Sequence, residues 1–149
     1  MQQLQFPSYE FRFKNRENKL LIFDIVRKKF VILTPEEWVR QHAVHYLHHQ
    51  GGIPLSMINV EKQIQLHSII KRFDIAVFYP TGELFLIVEC KAPEIPISQD
   101  SFDQVARYNM TLHARYLMVT NGMHHYYCMI DKQQQQYSFL ESLPEYHIK

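Results

Sequence analysis

The sequence predicts an α/β fold in which helices flank a mixed β-sheet, with several short strands ahead of it. Three observations support this prediction. A clearly bounded helix pattern follows Thr34, three strand patterns come next, and a second helical stretch precedes two more strands. The order helix, three strands, helix, two strands is typical of helices packed on a mixed sheet.

The N-terminal part and the first helix are marked by local signals. The segments "YEFRFK", "KLLIFDIV" and "KFVILT" within residues 9–33 predict short strands, and "NRENK" and "RKK" predict the turns between them. In "TPEEWVRQHAVHYLHHQGG", Thr34 suits the N-cap and Pro35 the first helical position. The pair of glycines at its end predicts the helix terminus.

The central strands follow this helix. "SMINVEKQIQL", "KRFDIAVFY" and "LFLIVECK" predict three strands, with "PTGE" as a turn between the last two. The continuous apolar run of "LFLIV" is typical of a strand buried on both faces. After the proline-marked loop "APEIPIS", residues 99–114 predict a helix, and "RYLMVTNG" and "HHYYCMI" predict two further strands. Gln133–Gln136 is interpreted as a polar turn or strand edge.

Composition limits the classes of protein that the chain can belong to. The 149 residues predict one domain, and the net charge of +1 gives no global basic signal for nucleic acid, although a local patch would suffice. Cys90 and Cys128 are too few for a disulfide framework. No signal peptide and no run of ~18 apolar residues is present, so we expect a reduced, cytoplasmic protein without a membrane partner.

The hairpin between the second and third central strands predicts a pair of carboxylates. If Thr81 and Gly82 are its two turn residues, Asp74 lies opposite Glu89. Directly opposed residues have Cβ atoms roughly 4.5–5.5 Å apart, so two carboxylates there need a compensating cation. The same register pairs Phe78 with Phe85 and Ala76 with Ile87.

Two cations could compensate the carboxylates. Lys91 is two residues after Glu89 and points to the same face of the strand. A divalent ion such as Mg²⁺ would compensate them more fully, and it binds carboxylates, waters and substrate phosphates. This combination suits phosphodiester hydrolysis, with the lysine orienting water and stabilising negative charge. A simple surface ion pair of Lys91 with Asp74 or Glu89 is the alternative.

At these residues the sequence resembles a known family. "RFDIAVFYPTGELFLIVECKAP" and "FDQVARYN" are similar to the PD-(D/E)XK nuclease superfamily, and more narrowly to the N-terminal nuclease domain of type I restriction enzyme R subunits. The resemblance covers about residues 34–122. It implies a restriction-endonuclease-like mixed sheet with an αβββαβ core, comprising residues 34–149, and residues 1–33 as an N-terminal β extension of the same domain.

The resemblance also implies a site and its cofactor. Asp74 and Glu89 would be metal ligands, with the backbone carbonyl of Cys90 as a further ligand and Lys91 as the catalytic lysine. The cofactor would be Mg²⁺, with Mn²⁺ as a substitute, and the substrate would be DNA.

Residues of the second helix would complete this site. Gln104 and Tyr108 match the Q-x-x-x-Y motif of restriction and recombination nucleases, and four residues apart they share one helix face. The resemblance places Gln104 in the catalytic centre and Tyr108 against substrate. Arg107 and Arg40 are candidates for phosphate contact, with a solvated surface charge as the alternative for each.

A glutamate of the first helix often joins such sites, and two candidates are adjacent. Glu36 falls within the apolar arc of the helix, so we assign Glu36 to the site. Glu37 is three residues after Thr34, the position of a capping box, and we assign it to the cap.

The sequence departs from the family in two respects. Phe73 replaces the proline that often precedes the first aspartate. Type I subunits also carry a helicase motor, whereas this sequence lacks a G-x-x-x-x-G-K-[ST] motif. We therefore expect the nuclease module alone, with a separate motor or restriction-system protein as a partner. The oligomeric state stays open, with a homodimer expected because many nucleases of this class pair up to cut both strands.

Other interpretations remain. His42, His45 and His49 recur at helical spacing, which would allow a zinc site, but no H-E-x-x-H or Cys-x-x-Cys accompanies them. A catalytic Cys90 is disfavoured because its side chain points away from Lys91. The rival functions are a non-catalytic nucleic-acid-binding or assembly module that keeps the fold, and a small partner protein without nucleic-acid contact.

Overall fold

The computed structural model of the chain describes residues 1–66, 68–110 and 112–147. Two helices, one short 3₁₀ turn and nine strands occupy this part of the chain. They are β1 (Phe13–Arg16), β2 (Lys19–Asp24), β3 (Lys29–Ile32), α1 (Pro35–His49), the 3₁₀ turn (Leu55–Met57), β4 (Ile58–Leu66), β5 (Ile69–Phe78), β6 (Leu84–Cys90), α2 (Gln99–Asn109), β7 (Tyr116–Thr120), β8 (His125–Asp131) and β9 (Gln136–Leu140).

The strands form two sheets. β1, β2 and β3 make a small antiparallel sheet, and β4 to β9 make a six-stranded sheet in chain order. Within the large sheet β6 and β7 run parallel, because α2 forms the crossover between them, and the other neighbours are antiparallel. The predicted mixed α/β fold with an N-terminal β extension is confirmed. No helix in the described ranges is long and apolar enough to cross a membrane.

The first helix forms where its local signals predict it. The Thr34 side chain accepts a hydrogen bond of 3.0 Å from the Glu37 backbone N–H, and Pro35 occupies the first turn. At the other end Gly52 adopts φ +66°, a left-handed conformation that suits glycine. Thr34 and the glycines therefore set the two ends of α1.

The second helix is shorter than the predicted 99–114. It begins with a reciprocal cap, in which Ser98 and Ser101 each bond the other's backbone N–H, and it ends at Asn109. Leu112 and Ala114 leave the helical path and are buried beneath α2. Burial of these two apolar residues outweighs another helical turn; Thr111, also in the predicted helix, lies outside the described residues.

The sixth strand of the large sheet was not predicted. The glutamine stretch divides between a turn at 132–135 and the start of β9 at Gln136, so both of its interpretations hold in part. β9 lies at an edge of the sheet and is only partly covered, with Phe139 51% exposed. Its exposed, polar pattern lacks the apolar run of a central strand, which is why the sequence signal was weak.

The large sheet is covered on both faces. One apolar cluster lies between the sheet and α1, with Val88 and Val39 among its members, and the other lies between the sheet and α2, with Ile87 and Phe102. Neighbouring residues of β6 thus belong to opposite clusters, as predicted for a strand buried on both faces. Cys90 is also buried and is a free thiol, like Cys128.

Candidate active site

The β5–β6 hairpin brings the predicted carboxylates together by a route that differs from the prediction. The Gly82 N–H donates to the Tyr79 carbonyl at 2.9 Å, so Pro80 and Thr81 are the central turn residues and Gly82 follows with φ +91°. The predicted two-residue turn at Thr81 and Gly82 is therefore wrong. Because the turn is longer by one residue, it would by itself move the whole pairing by one position.

A β-bulge restores the predicted register. Phe78 pairs with Leu84 and Val77 with Leu86, which leaves Phe85 as an extra residue in β6. The predicted pairing of Phe78 with Phe85 is wrong for this reason, whereas the pairing of Ala76 with Ile87 is confirmed. Beyond the bulge, the side chains of Asp74 and Glu89 meet.

The two carboxyl groups share a hydrogen bond. Burial, the Asp74 charge and this bond raise the pKa of Glu89 from 4.5 to about 8, and only the nearby Lys91 charge opposes the shift substantially. Asp74 also accepts from the Cys90 backbone N–H at 2.8 Å and from Arg40 Nη2 at 2.9 Å. Burial and the neighbouring Asp74 charge therefore favour the protonated form of Glu89.

Arg40 is the cation that neutralises Asp74. Its side chain is 8% exposed, and its guanidinium contacts Glu37 at 2.6 Å and Glu61 at 3.0 Å in addition to Asp74. Burial alone would lower the pKa of Arg40, but the Glu37 and Asp74 charges hold it above its usual value. The solvated surface charge considered for Arg40 is therefore incorrect, and its contact with phosphate remains a prediction.

The two glutamates of the first helical turn have different environments. The Glu37 side chain is 8% exposed and accepts hydrogen bonds from Arg40, Gln41 and Arg27. The Glu36 side chain is 48% exposed, yet burial and the Asp74 charge raise its pKa. Glu36 is thus electrostatically coupled to the acid pair. The predicted capping role of the Glu37 side chain is wrong, because its carboxylate belongs to a buried ion-pair network and only its backbone N–H bonds Thr34.

Glu61 is a site neighbour that sequence reasoning missed. It adopts φ +57° within β4, a strained conformation for a non-glycine residue, and its carboxylate bridges Arg40 and Arg72. Its position in "NVEKQ" is that of an ordinary outward-facing polar residue. No signal in the sequence distinguishes it.

On the α2 side, the site opens into a cleft of about 380 Å³. Glu89 and Lys91 line it from the sheet, and Gln104 and Tyr108 line it from the helix. Lys71 Nζ lies 3.7 Å from the centroid of the Tyr108 ring. The remaining lining residues are Arg72, Ser101, Val105 and Asn109. Of the predicted site residues, Arg107 is exposed on α2 and does not line the cleft.

The donor set fits a hard cation held by few protein ligands. Among the described residues, no group of three or more His, Cys, Asp or Glu is arranged to hold a metal ion. Mg²⁺ usually keeps several waters and binds through one or two carboxylates plus substrate phosphates. Asp74 and Glu89 provide such a pair, and the raised pKa of Glu89 reflects the repulsion between the two carboxylates that a cation would relieve.

The histidines of α1 occupy an aromatic environment instead of a ligand cluster. His42 Nδ1 bonds the Trp38 carbonyl at 2.9 Å. Both ring nitrogens of His45 are buried without a partner in the described part of the chain, and burial lowers its pKa to about 4. Tyr9 and Phe11 pack against the His45 ring. This packing gives the histidines a structural role.

A mixed sheet with a helix on each face, together with an acid pair at the end of its central hairpin, defines an α/β domain of nuclease-like fold. The model of the family described as "Type I restriction enzyme R protein N terminus (HSDR_N)" matches residues 35–144. The chain belongs to this family, which confirms the resemblance found in the sequence. A search of curated proteins found no match to the chain.

Proposed function

We propose that the protein is a Mg²⁺-dependent DNA endonuclease that hydrolyses phosphodiester bonds. The observation that supports this proposal most directly is the hydrogen-bonded pair of Asp74 and Glu89 beside Lys91, with the pKa of Glu89 raised to about 8. Carboxyl groups whose pKa is strongly shifted by burial and by a neighbouring charge are typical of functional sites. The family's description as part of a restriction enzyme supports DNA as the substrate class.

Asp74 and Glu89 would hold the cation, with the Cys90 carbonyl as a third ligand. Bound Mg²⁺ would polarise a phosphoryl oxygen and lower the pKa of a coordinated water. To take part, Glu89 has to lose the proton that it shares with Asp74. The Asp74 carboxylate is already oriented, because the Cys90 N–H and Arg40 each hold one of its oxygens.

Lys91 would act on the attacking water and the reacting phosphate. It lines the cleft next to Glu89, and its charge is close enough to lower the Glu89 pKa. Its ammonium can donate hydrogen bonds to a water or to a phosphate oxygen, and it stabilises negative charge that develops in the transition state.

Gln104 and Tyr108 would position the DNA strand from the opposite wall. Both extend into the cleft from one face of α2. Glu36, coupled to Asp74 through space, would adjust the charge on the metal side of the site. The family name further suggests another restriction-system protein as an assembly partner.

The test compares the metal-dependent DNA cleavage of wild type with that of the Lys91→Ala variant. Wild type should cut circular and linear DNA in Mg²⁺ and not in EDTA, and the variant should lose activity by about two orders of magnitude or more, as for removal of a key electrostatic group. Lys132→Ala, in the exposed β8–β9 turn, is the matched control and should cut normally. Undiminished cutting by a folded Lys91→Ala protein would disprove the mechanism.

A non-catalytic DNA-binding module is the second candidate. Arg40 favours it, because its guanidinium already neutralises one oxygen of Asp74 and lies within the acid cluster. In that case DNA binding would be insensitive to Mg²⁺ and to Asp74→Ala, and no Mg²⁺ binding would be detected by calorimetry. Mg²⁺ binding that Asp74→Ala abolishes would reject this candidate.

A further inference from the structure

The N-terminal part of the chain differs in charge from the rest. Residues 1–33 contain seven Lys or Arg and three Asp or Glu, although the whole chain has a net charge of only +1. The remainder is therefore net acidic. This segment also precedes residues 35–144, the part that the family model matches.

Strand alternation places four of the seven basic side chains on one face of the small sheet. The side chains of Lys14 and Arg16 in β1 lie two residues apart, and β1 pairs with β2 so that Lys14 lies opposite Leu21 and Arg16 opposite Lys19. Arg12 directly precedes β1 and continues the pairing, because its carbonyl accepts a hydrogen bond of 2.9 Å from the Phe23 N–H. All four basic side chains are exposed. We call this surface, formed by Arg12, Lys14, Arg16 and Lys19, the basic face.

The other face of the small sheet is turned towards α1. Ile22 and Asp24 of β2 are fully buried, and Asp24 accepts a hydrogen bond of 3.0 Å from Gln41 of α1. Phe23 lies between them in sequence and therefore points to the opposite face, with Phe30 of β3 beside it. The basic face thus points away from the core.

Aromatic rings contact two of the four cations, Arg12 and Lys14, without neutralising them. The Arg12 guanidinium lies 4.5 Å from the centroid of the Phe23 ring and 5.6 Å from that of Phe30, and Lys14 Nζ lies 5.6 Å from the Phe30 centroid. Over the described ranges the four residues of the basic face form no ion pair with a carboxylate. By contrast, Arg40 and Arg72, near the acid pair, are both paired with Glu61.

The small sheet is joined to the site by a continuous series of ion pairs. Arg27, in the β2–β3 turn, contacts Asp24 at 2.8 Å and Glu37 at 3.2 Å. Glu37 contacts Arg40 at 2.6 Å, and Arg40 contacts Asp74 at 2.9 Å. The basic face is therefore fixed relative to the acid pair.

We infer that the basic face is a DNA-binding surface that contacts the phosphate backbone outside the cleft. Alternate residues of a strand are about 6.6–6.8 Å apart, so Arg12 to Arg16 extends over about 13 Å, or roughly four nucleotides of one strand at 3.4 Å each. Four exposed cations without a carboxylate partner, on a protein whose remaining residues are net acidic, match a polyanion by charge. The choice of DNA as that polyanion rests on the proposed function.

The test compares two triple variants with the same change in net charge. One is Arg12→Gln/Lys14→Gln/Arg16→Gln, and the control is Lys62→Gln/Arg115→Gln/Lys132→Gln, three exposed cations elsewhere. Binding of a duplex of about 20 base pairs is measured by fluorescence anisotropy in EDTA, from about 50 to about 300 mM NaCl. Thermal unfolding verifies that both variants fold.

The basic-face variant should bind the duplex at least about tenfold more weakly than wild type. The slope of log K against log salt concentration should become about two to three units less steep, because each phosphate contact contributes about 0.9 to it. The control should bind like wild type. Equal losses in both variants, or no loss in either, would overturn the inference. A different outcome is that wild type binds RNA, or vesicles containing anionic lipid, more tightly than the DNA duplex. If the basic-face variant lost that binding, the surface would be assigned to that partner.

This result is separable from the proposed function. If cleavage survives Lys91→Ala while the basic-face variant loses duplex binding, the catalytic proposal fails and the surface stands. If Lys91→Ala is inactive and the basic-face variant binds duplex normally, the catalytic proposal stands and the binding surface is rejected. With both correct, the basic-face variant should cut with a raised KM and a kcat close to wild type, since it leaves the cleft unchanged.

Discussion

The carboxyl group of Glu89 keeps a proton at a pH at which an exposed glutamate would have lost it. Burial and the adjacent Asp74 raise its pKa to about 8, and Lys91 opposes this shift only in part. In the folded state Glu89 therefore binds more protons than in the unfolded state between pH 4.5 and about 8. A raised carboxyl pKa of this kind means that folding stability falls as the pH rises through that range.

We predict that Glu89→Gln removes this pH dependence in the metal-free protein. Between pH 5 and pH 8 wild type should lose a few kcal/mol of unfolding free energy, since each pKa unit corresponds to about 1.4 kcal/mol. The variant should lose much less, because glutamine donates to Asp74 without titrating. Urea unfolding in EDTA measures both. Glu83→Gln, in the exposed hairpin turn, should behave like wild type, and parallel curves for Glu89→Gln and wild type would contradict the prediction.

At the scale of elements, α1 connects the small sheet to the acid pair. Glu37 and Arg40, three residues apart, face the same buried region and link Arg27 of the small sheet to Asp74 of β5. Removing one member of a buried charge series leaves its partners unpaired, and this costs more than breaking an exposed pair.

We therefore predict very different losses of stability on replacing the two arginines that pair with Glu61. Arg40→Gln should destabilise the metal-free protein by about 3–5 kcal/mol. The change leaves Asp74 without its cation, and Glu37 keeps only Arg27. Arg72→Gln should cost less than about 1 kcal/mol, because its side chain is 63% exposed. If Mg²⁺ binds the acid pair, it should raise the Tm of Arg40→Gln more than that of wild type. Equal stability of the two variants would refute the assignment.

Local signals accounted for the elements whose ends they mark. Thr34 and the glycines after α1 set that helix, and the apolar run of β6 identified the buried central strand. The bulge at Phe85 could not be predicted, because no local pattern marks it. It compensates for a turn that is one residue longer than predicted and so restores the register at Glu89. The end of α2 at Asn109 and the contacts of Glu61 likewise depend on tertiary packing.

The candidate site was predictable to the extent that it follows from strand alternation. Asp74, Glu89 and Lys91 were placed together because opposite strands align them. The partners Glu37 and Arg40 were misjudged, because helical position alone does not show which charges become buried as a network. Packing against the small sheet decides this, and no pattern within α1 encodes it.

At the scale of the whole molecule, the N-terminal segment is part of the core. Leu4 is 4% exposed and belongs to the apolar cluster beneath α1, although it precedes the part matched by the family model. The Gln5 N–H donates to the Gly122 carbonyl at 2.7 Å. Gly122 has φ +85°, and a Cβ there would lie 2.9 Å from Leu4. The segment and the β7–β8 turn are therefore packed in direct contact.

We predict that Leu4→Ala destabilises the protein by about 2–4 kcal/mol, as expected for a buried leucine. Leu20→Ala should cost less than about 1 kcal/mol, because Leu20 is 38% exposed on the small sheet. Denaturant unfolding followed by Trp38 fluorescence, which reports on the segment because the Trp38 indole donates to the Gln2 carbonyl, measures both. A similar cost for the two leucines would show that the segment is peripheral.

The bulge at Phe85 also bears on how relatives of this protein can be recognised. Fourteen residues separate Asp74 from Glu89, and one of them, Phe85, occupies no pairing position. A chain without that residue and with the same turn would join the same two carboxylates across thirteen residues. A motif search that fixes the interval would miss it, whereas one that counts paired positions would find both. The constant quantity is the alternation of side chains between the faces of the sheet, and the length of the interval is free to vary by one.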